Sequence, residues 1–340
     1  MRQSRIGETD PVLLSVVIPT FNRQGLLQEC LNSLFSCDDP GYNWELIVVD
    51  DASTDNTVSW FMSKYADEHL LRQNKNRGFA AAVNRGIRKA RGAWIALINN
   101  DITLDPEWFL QVSTKFAPDV GSIATRVLVY SEPTKVDTEG DYYTVVGGAL
   151  KSSYFQDVMK SEWKGHKPFS ASASAVVYNR QALEDAGGFD ETLEAYYEDV
   201  DLGFRLLLMG WKCVFASKAI SYHRVSSSYD SRSYRYHFYG SRNQEVVFWA
   251  NMPTPLLARY AFSHLVFVLF QLVSHVFKGQ FFPFLLGKID FLGQLPAVWR
   301  KRRLVQARRK ISCKELQSLM ISEWVQVYIL KRLQGKLHHL

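Results

Sequence analysis

The sequence predicts an α/β protein in which helices cover both faces of a mostly parallel β-sheet. Strand and helix patterns alternate along roughly the first hundred residues, the strands are continuous β-branched runs, and no tight hairpin signal separates them. Continuous apolar strands are typical of parallel sheets, because such sheets are buried on both faces. Hydrophobic residues make up 47% of the 340-residue chain and charged residues 22%, the composition of a folded globular protein.

Three strand–helix units account for this first region. The predicted strands are LLSVVIPT, WELIVVDD and WIALINND, and the predicted helices are RQGLLQECLNSLFSC, TDNTVSWFMSKYA and FAAAVNRGIRKA. Ligands of parallel sheets bind beyond the carboxyl ends of the strands. The polar segments PTFNR, DDASTD and NND follow these ends, so they form the candidate site.

The middle of the chain is less regular. Short strand patterns at 122–130 and 172–178 predict a mixed or antiparallel edge to the sheet. A helix, DLGFRLLLMG, is closed by Gly210 and followed by strand patterns in KCVFAS and AISYHR. We therefore predict an α/β domain over 1–226, a Ser/Tyr/Arg-rich linker over 227–253 and a helical tail over 254–340.

Charge and cysteine usage limit the class of protein. From Arg259 onward there are 14 Lys and Arg against 3 Asp and Glu, whereas residues 1–258 carry 26 basic and 31 acidic residues. No nucleic-acid motif accompanies the basic tail, so we expect no nucleic-acid partner, and a membrane surface explains both its charge and its apolarity. Four cysteines without a CxxC pair favour a reducing cytosol, and VLLSVVI is too short for a signal peptide or a membrane span.

Two strand ends carry candidate ligands for a nucleotide. The first turn lacks G-x-G-x-x-G and the chain lacks a P-loop motif, which disfavours NAD and P-loop binding. Asp50 and Asp51 follow the second strand, where a carboxylate can accept hydrogen bonds from a base or a ribose. The alternative is a solvated loop in which Asp55 caps the next helix. For Asp55 we favour the cap, and for Asp51 the nucleotide.

Asn99, Asn100 and Asp101 leave the next strand. An aspartate oxygen at a strand end suits Mg²⁺ or Mn²⁺ bound to a nucleotide diphosphate, although Asn and Asp are also ordinary turn residues. A hundred residues later, YYEDVDLGFRL places Glu198, Asp199 and Asp201 within four positions. Carboxylates this close repel each other and resist burial. The dipole of a helix N-terminus explains Asp201 well, but it explains the other two poorly.

Several motifs together resemble one family. SVVIPTFNR, IVVDDASTDNT, NRGFAAAVNRGI, LINNDI, GGFDE and YYEDVDLGFRLLLMGW are similar, in order and spacing, to the motifs of family-2 glycosyltransferases with the GT-A fold. The resemblance covers about residues 12–226. NND in place of D-x-D resembles the bacterial rhamnosyltransferases and their galactofuranosyltransferase relatives. It implies inverting transfer of a sugar from a nucleoside diphosphate sugar, assisted by Mg²⁺ or Mn²⁺.

The resemblance also implies residue roles. Asp51 would contact a pyrimidine base and Asp101 would bind the metal. Asp199 would be the general base that takes the acceptor proton, and Glu198 would orient the acceptor. The other residues implied for the nucleotide sugar are Pro19, Thr20, Asn22, Arg23, Arg77, Gly78, Asn99 and Asn100, with Arg23 or Arg77 on the diphosphate.

His223 matches the place of a metal-ligating histidine in the galactofuranosyl relatives. With Asn99 at the first position of the motif, the protein offers the metal one carboxylate fewer, and His223 would compensate. The alternative is a hydrogen-bonded loop histidine. Imidazole tolerates Mn²⁺ better than Mg²⁺.

The resemblance favours a dTDP- or UDP-linked donor, rhamnose as the sugar, and a lipid-linked cell-surface glycan as the acceptor. A polyprenyl-phosphate sugar synthase is the alternative within the enzyme class. A processive synthase is disfavoured because Q-x-x-R-W is absent. A catalytically silent GT-A module that binds nucleotide or supports an assembly complex is the alternative outside that class.

The tail predicts an amphipathic helix. At 100° per residue its polar side chains fall on one side and its apolar ones on the other. The next run is interrupted by Pro283, Lys288 and Asp290 and meets the basic run 300–303. We expect the tail to bind the cytoplasmic face of the cell membrane without crossing it. The alternative packs the apolar side against the catalytic domain or a second subunit. The polar side is Ser263, His264, Gln271, Ser274, His275 and Lys278; the apolar side is Ala261, Phe262, Leu265, Val266, Leu269, Leu272, Val273 and Val276.

Overall fold

The computed structural model describes residues 11–161, 167–224 and 233–330. Its strands are β1 (Leu14–Thr20), β2 (Trp44–Asp50), β3 (His69–Arg72), β4 (Trp94–Ile98), β5 (Ile102–Leu104), β6 (Val120–Val129), β7 (Glu132–Thr138), β8 (Asp141–Tyr143), β9 (Ala149–Lys151), β10 (Ala175–Asn179) and β11 (Lys212–His223). Its α-helices are α1 (Gln24–Phe35), α2 (Thr57–Lys64), α3 (Phe79–Lys89), α4 (Trp108–Ser113), α5 (Arg180–Ala186), α6 (Glu198–Leu208), α7 (Tyr234–Asn251), α8 (Thr254–Phe277), α9 (Phe281–Ala307) and α10 (Cys313–Ser318).

The central sheet has nine strands in the order β3-β2-β1-β4-β10-β6-β11-β5, with β7 paired to β6. Strands β1 to β4 are mutually parallel, and β6 and β11 run in the same direction. Strand β10 is antiparallel to both β4 and β6. The prediction of a mostly parallel α/β sheet is confirmed. The predicted mixed edge is also present, because the edge strand β5 is antiparallel to β11 and β7 is antiparallel to β6. A further antiparallel strand, β10, lies inside the sheet.

Apolar cores on both faces of the sheet hold the helices in place. One core joins Leu27, Leu31 and Leu34 of α1 to Val16 and its neighbours in the sheet. The other core packs α3, α5 and α6 against the opposite face. Burial on both sides explains why β1, β2 and β4 are continuous apolar runs.

Strand direction brings the candidate residues to one edge. The carboxyl ends of β1, β2, β4 and β11 point the same way, since these strands run parallel. The short strand β5 turns back and pairs with β11, with Ile102 opposite His223. The turn before β5 therefore lies beside the end of β11, although the two are separated by more than a hundred residues in the chain.

The linker predicted over 227–253 is wrong for most of its length. Residues 227–232 lie outside the described residues, but Tyr234–Asn251 form the helix α7. Its side chains Asn243, Gln244 and Glu245 are buried. A polar composition suggested a loop, whereas these polar groups are hydrogen-bonded inside the protein, which is the condition for burying them.

The tail is helical, as predicted, and α9 continues through residues that were expected to interrupt it. Pro283 lies in the first helical turn, where a missing N–H costs nothing, and Pro296 lies inside the helix. Helices α8 and α9 are both long and apolar enough to span a membrane by length and composition, with 22% and 28% of the apolar window buried.

Candidate active site

The turn after β4 and the end of β11 together form an acid–histidine corner. The Nε2 atom of His223 lies 3.5 Å from Oδ1 of Asp101, and its Nδ1 atom lies 2.9 Å from Oδ2 of Asp137. Asp137 is fully buried and also bonds Lys151 at 2.8 Å. A carboxylate on one ring nitrogen fixes the tautomer and directs the other nitrogen toward a ligand. In this corner that second nitrogen faces Asp101.

The corner is built to hold a positive charge. Burial opposes protonation of His223, yet hydrogen bonds to Asp101 and Asp137 raise its pKa to about 9. The pKa of Asp137 is lowered by Lys151 and His223 despite its burial. A divalent cation fits this donor set of one carboxylate and one imidazole, and Mn²⁺ fits it better than Mg²⁺. Among the described residues no cluster of three or more His, Cys, Asp or Glu forms a metal site, so further ligands must come from the substrate or water.

The two asparagines of the motif behave differently. The Nδ2 atom of Asn100 donates to Oγ1 of Thr20 at 2.9 Å, which connects the ends of β4 and β1. The side-chain oxygen of Asn99 is buried and has no hydrogen-bond partner in the protein. A buried polar atom without a partner costs free energy unless a ligand satisfies it. Asn99 is therefore a candidate for bonding a ligand.

Asp51 holds a loop in place. Its Oδ1 atom accepts hydrogen bonds from Nε2 of Gln73 and from the backbone of Arg77, both at 2.8 Å, and its Oδ2 atom accepts from the backbone of Gly78 at 2.9 Å. Gly78 has a φ of 84°, which favours glycine, and it precedes α3. The predicted contact of Asp51 with a base stays a prediction, and the carboxylate retains lone pairs for it.

The remaining donor-side predictions occupy the same edge. Asn22 has a φ of 51°, and its Oδ1 atom accepts from the backbone of Thr54 at 2.7 Å, so it connects the loops after β1 and β2. Pro19 is buried within β1, and Arg23 is exposed at the start of α1. The guanidinium of Arg77 bonds Glu191 at 2.8 Å. A diphosphate would have to compete with that pair.

Asp55 is the helix-start residue that was predicted. Its Oδ1 atom accepts from the backbone N–H of Thr57 at 3.0 Å and from the Thr57 hydroxyl at 2.5 Å. Thr57 is the first residue of α2. The side chain is therefore occupied by local structure.

The acidic cluster forms the first turn of α6. Asp199 accepts one hydrogen bond from the backbone of Ala173 at 3.1 Å and one from Val200 at 2.8 Å. Oε2 of Glu198 is buried without a hydrogen-bond partner. Asp201 points away from both and is buried against Arg205 at 2.8 Å and Lys301 at 2.7 Å. Its role is therefore structural.

The pKa values of Glu198 and Asp199 are both raised. Burial and then the charge of Asp199 raise the pKa of Glu198 to about 8. Burial also raises the pKa of Asp199, while its two backbone donors favour the ionised form. The backbone donors therefore favour the negative charge on Asp199, whereas Oε2 of Glu198 has no such donor among the described residues. One group can accept a proton and the other can donate a hydrogen bond.

Three charged residues near the acidic cluster and the acid–histidine corner escaped the sequence analysis. Asp141 is buried beside the pair, accepts from the hydroxyl of Ser170 at 3.2 Å, and has a pKa raised well above its usual value by burial and by Asp199. Asp137 and Lys151 complete the group. The alternation of acids in DTEGD is a signal that could have revealed the two aspartates, because Asp137, Glu139 and Asp141 alternate along the chain and are all buried.

The loop before α6 is strained and clamped by α7. Glu194, Tyr196 and Tyr197 have φ values of 60°, 64° and 69°, in the left-handed region that costs free energy for residues other than glycine. Nδ2 of Asn243 donates to the carbonyls of Leu193, Ala195 and Tyr196 at 2.8, 2.7 and 2.8 Å. Asn243 was assigned to the linker, so sequence reasoning missed it.

A cavity of about 690 Å³ connects these parts. Asn99, His223, Glu198 and Asp199 line one wall. Side chains of α7, α8 and α9 line the same cavity. Asp51, Asn22 and Arg77 are not among its lining residues and remain on the adjoining strand edge. The structure thus places the predicted base and His223 on one cavity, with Asp101 beside His223.

Comparison with known proteins agrees with this architecture. The family model described as "Glycosyl transferase family 2" matches residues 15–187. The O-antigen biosynthesis protein RfbC of Myxococcus xanthus is 24% identical over 63% of this chain and 17% of its own length. The N-acetylglucosaminyl-diphospho-decaprenol L-rhamnosyltransferase of Mycobacterium tuberculosis is 26% identical over 64% of this chain and 78% of its own length.

A solved structure shares the fold. The mannosyltransferase PcManGT from Pyrobaculum calidifontis, in complex with GDP-Man and Mn²⁺, has a TM-score of 0.52 at 17% identity, over 96% of this chain and 84% of its own. The chain spans 25%, 17% and 46% of the length of the first three curated relatives that it matches.

Proposed function

Because this chain belongs to glycosyl transferase family 2, we propose that it is an inverting, metal-assisted glycosyltransferase. It would move a sugar from a nucleoside diphosphate sugar to a lipid-linked glycan. The observation that carries the proposal is the shared cavity, which is lined by Asp199, Glu198 and His223, with Asp101 3.5 Å from His223. A base and a cation site on one cavity are the two requirements of such a transfer.

The chemistry is a single displacement at the anomeric carbon. The acceptor oxygen bonds to that carbon while the bond from the carbon to the diphosphate oxygen breaks, and the bonding electrons leave with the nucleoside diphosphate. The hydroxyl proton passes to Asp199, while Glu198 hydrogen-bonds the acceptor. Asp101 and His223 would hold Mg²⁺ or Mn²⁺, which supplies neutralisation of the diphosphate charge. Asn99, whose buried oxygen has no partner, would bond the donor.

For the donor we propose dTDP- or UDP-rhamnose, bound by the strand edge that carries Thr20, Asp51 and Asn100. The relative named as a rhamnosyltransferase supports the sugar, and its name supports an acceptor built on a prenyl diphosphate. A thermal-shift panel of nucleotide sugars with and without Mn²⁺ tests the donor. Stabilisation by one sugar nucleotide, followed by its slow hydrolysis, is expected. Binding without hydrolysis or transfer would indicate a catalytically silent module.

The tail supports a position on the membrane surface. Of the 21 large hydrophobic side chains exposed in the described residues, 13 lie on α8 and α9. We call these 13 residues the outer face: Phe262, Leu265, Val266, Leu269, Val273, Val276, Phe277, Phe282, Leu286, Ile289, Leu292, Trp299 and Leu304. An apolar surface this large on a protein marks a site of interaction.

The inner side of the same helices packs on the rest of the protein through buried apolar side chains and a few buried polar ones. His264 is buried and contacts Glu245 at 2.8 Å, and Lys288 bonds the same carboxylate. The alternative in which the apolar side packs against the catalytic domain is therefore wrong for the described residues. Because these helices bond the rest of the protein on one side and expose apolar side chains on the other, they fit a position in the bilayer interface better than a span across the membrane.

The basic run contributes less to the surface than expected. Lys301 bonds Asp190 and Asp201, and Arg302 donates to the backbone of Trp249. Both side chains are therefore engaged in bonds within the protein. Arg300 and Arg303 remain exposed and accessible to anionic headgroups. The apolar outer face therefore supplies most of the proposed attachment, and salt should weaken it only in part.

Flotation with phosphatidylglycerol vesicles tests this position. Wild type should float at low and at high salt, and Leu269→Asp should float less, because a charge would enter the apolar region. Met62→Asp, at a similarly exposed position on α2, is the matched control. A protein that stays in the soluble fraction as a discrete dimer would show that the outer face binds a second copy.

A further inference from the structure

We propose that the inner side of α8 and α9 is the acceptor-sugar site, with Gln271 and His275 as its hydrogen-bonding groups. This inference rests on the proposed transfer reaction and names the part of the chain that selects the acceptor. The family match ends at residue 187, so these helices lie outside it. Their contact with the catalytic cavity is a property of this chain that the match does not cover.

The position of the wall is the first argument. Phe267, Gln271, His275 and Phe284 line the same cavity of about 690 Å³ as Glu198 and Asp199. An acceptor hydroxyl that reaches Asp199 brings the rest of its sugar into this cavity. The sugar must then contact whatever forms the opposite wall.

The chemistry of the wall is the second argument. The amides of Gln244 and Gln271 bond each other reciprocally, at 3.0 and 2.9 Å. Each amide then retains one N–H and one acceptor lone pair, which can bond sugar hydroxyls. The two side chains fix each other's orientation, so little entropy is lost when a sugar binds.

His275 adds a neutral acceptor. Its Nδ1–H donates to the carbonyl of Gln271 at 2.7 Å, and its ring stacks on Phe284 with centroids 4.3 Å apart. Burial, together with the nearby His237, Lys278 and Lys288, lowers the pKa of His275 to about 4. At neutral pH its Nε2 atom is therefore a hydrogen-bond acceptor.

The charge of the wall decides which part of the acceptor it meets. Among the described cavity-lining residues of α7, α8 and α9, Arg235 is the only lysine or arginine. Lys288 bonds Glu245 and is not among the lining residues. Neutral amides, imidazole and aromatic rings match a neutral sugar ring and not a diphosphate. The proposed ligand of this wall is thus the hydroxyl-bearing sugar of the acceptor.

The test uses farnesyl diphosphate-linked N-acetylglucosamine as a soluble acceptor probe, with the nucleotide sugar that stabilises the protein most. Gln271→Ala and His275→Leu should each raise the KM for this probe about tenfold, since each removes a hydrogen bond. Donor KM and donor hydrolysis should stay at wild-type values. His275→Gln, which keeps an acceptor atom, should recover most of the affinity.

Val273→Ala is the matched control, because Val273 lies on α8 between the two residues but points outward with 54% exposure. Unchanged acceptor KM in both Gln271→Ala and His275→Leu would overturn the inference and leave the proposed function standing. Donor hydrolysis by wild type without transfer to the probe would also overturn it. If no nucleotide sugar binds or is hydrolysed, the proposed function itself fails.

Discussion

The donor side and the acceptor side of the cavity are built in different ways. Donor-side residues come from strand ends, within the first 104 residues except for His223 at the end of β11, and are positioned by the sheet. Acceptor-side residues come from segments far apart in the chain: His264 contacts Val146 across 118 residues, and Asn243 contacts Tyr196 across 47. The donor side thus depends on the sheet, whereas the acceptor side depends on helices docking from the tail. Damage to one side should leave the other intact.

The largest expected effect is on the acceptor side. Asp199→Asn should lower transfer by about 10²-fold or more, because the variant cannot take the acceptor proton. Donor KM and the melting temperature should change little, since the amide keeps the size of the side chain. Steady-state kinetics with the acceptor probe measure the transfer rate and the donor KM, and a thermal melt measures the melting temperature. Near-normal turnover would remove Asp199 from the role of base.

Substitutions on the donor side should weaken metal and donor binding and leave the acceptor side intact. Asp101→Ala should abolish the dependence of donor binding on Mn²⁺, and His223→Ala should weaken it about 10- to 100-fold, the usual range for perturbing a metal site. Titration of Mn²⁺ in the presence of nucleotide, by calorimetry, measures the affinity. An unchanged affinity in His223→Ala would show that the histidine is only a hydrogen-bonded loop residue.

The smallest expected effect is a change of folding stability with pH that arises from the titration of Glu198. Glu198 has a raised pKa of about 8 against an ordinary value of 4.5, so the folded state binds a proton that the unfolded state releases in this range. Folding stability from this group is complete below about pH 4.5 and is lost as the pH rises toward 8. Wild type should lose a few degrees of melting temperature over this interval.

Glu198→Gln should flatten that pH dependence, because the amide cannot titrate. Thermal melts of both proteins at pH 5 and pH 8 provide the comparison, with Glu184→Gln on α5 as a control glutamate. An equal loss in wild type and Glu198→Gln would contradict the assignment of the proton to this pair. Donor binding should be the same in both, since the pair belongs to the acceptor side.

This difference also explains what could be predicted from the sequence. Continuous apolar strands ending in polar residues are local patterns, and they predicted the sheet and the candidate edge. The acids of α6 were read from another local pattern, YYEDVDLGFRL. Asn243 has no local signature, because its role arises from contacts with a loop distant in the chain. The predicted linker failed for the same reason: Arg242 and Asn243 in α7 looked solvated, yet they bond carbonyls of the loop before α6.

The tail helix was readable only in part. Its periodicity separated polar from apolar side chains correctly, but periodicity cannot say which side faces the protein. Partners decide that question, and Glu245 supplied one that no pattern in α8 reveals. The inward direction of His264 is therefore a result of the tertiary structure alone.

The outer face has a consequence for how the enzyme would find its acceptor. A protein held at the bilayer by α8 and α9 searches a plane instead of a volume, and its lipid-linked acceptor moves in that same plane. Confinement of both partners raises their effective concentration without any new contact between them. The few neutral hydrogen bonds of the inner wall then suffice for capture. Weak intrinsic affinity becomes useful, because a product that binds loosely also diffuses away quickly.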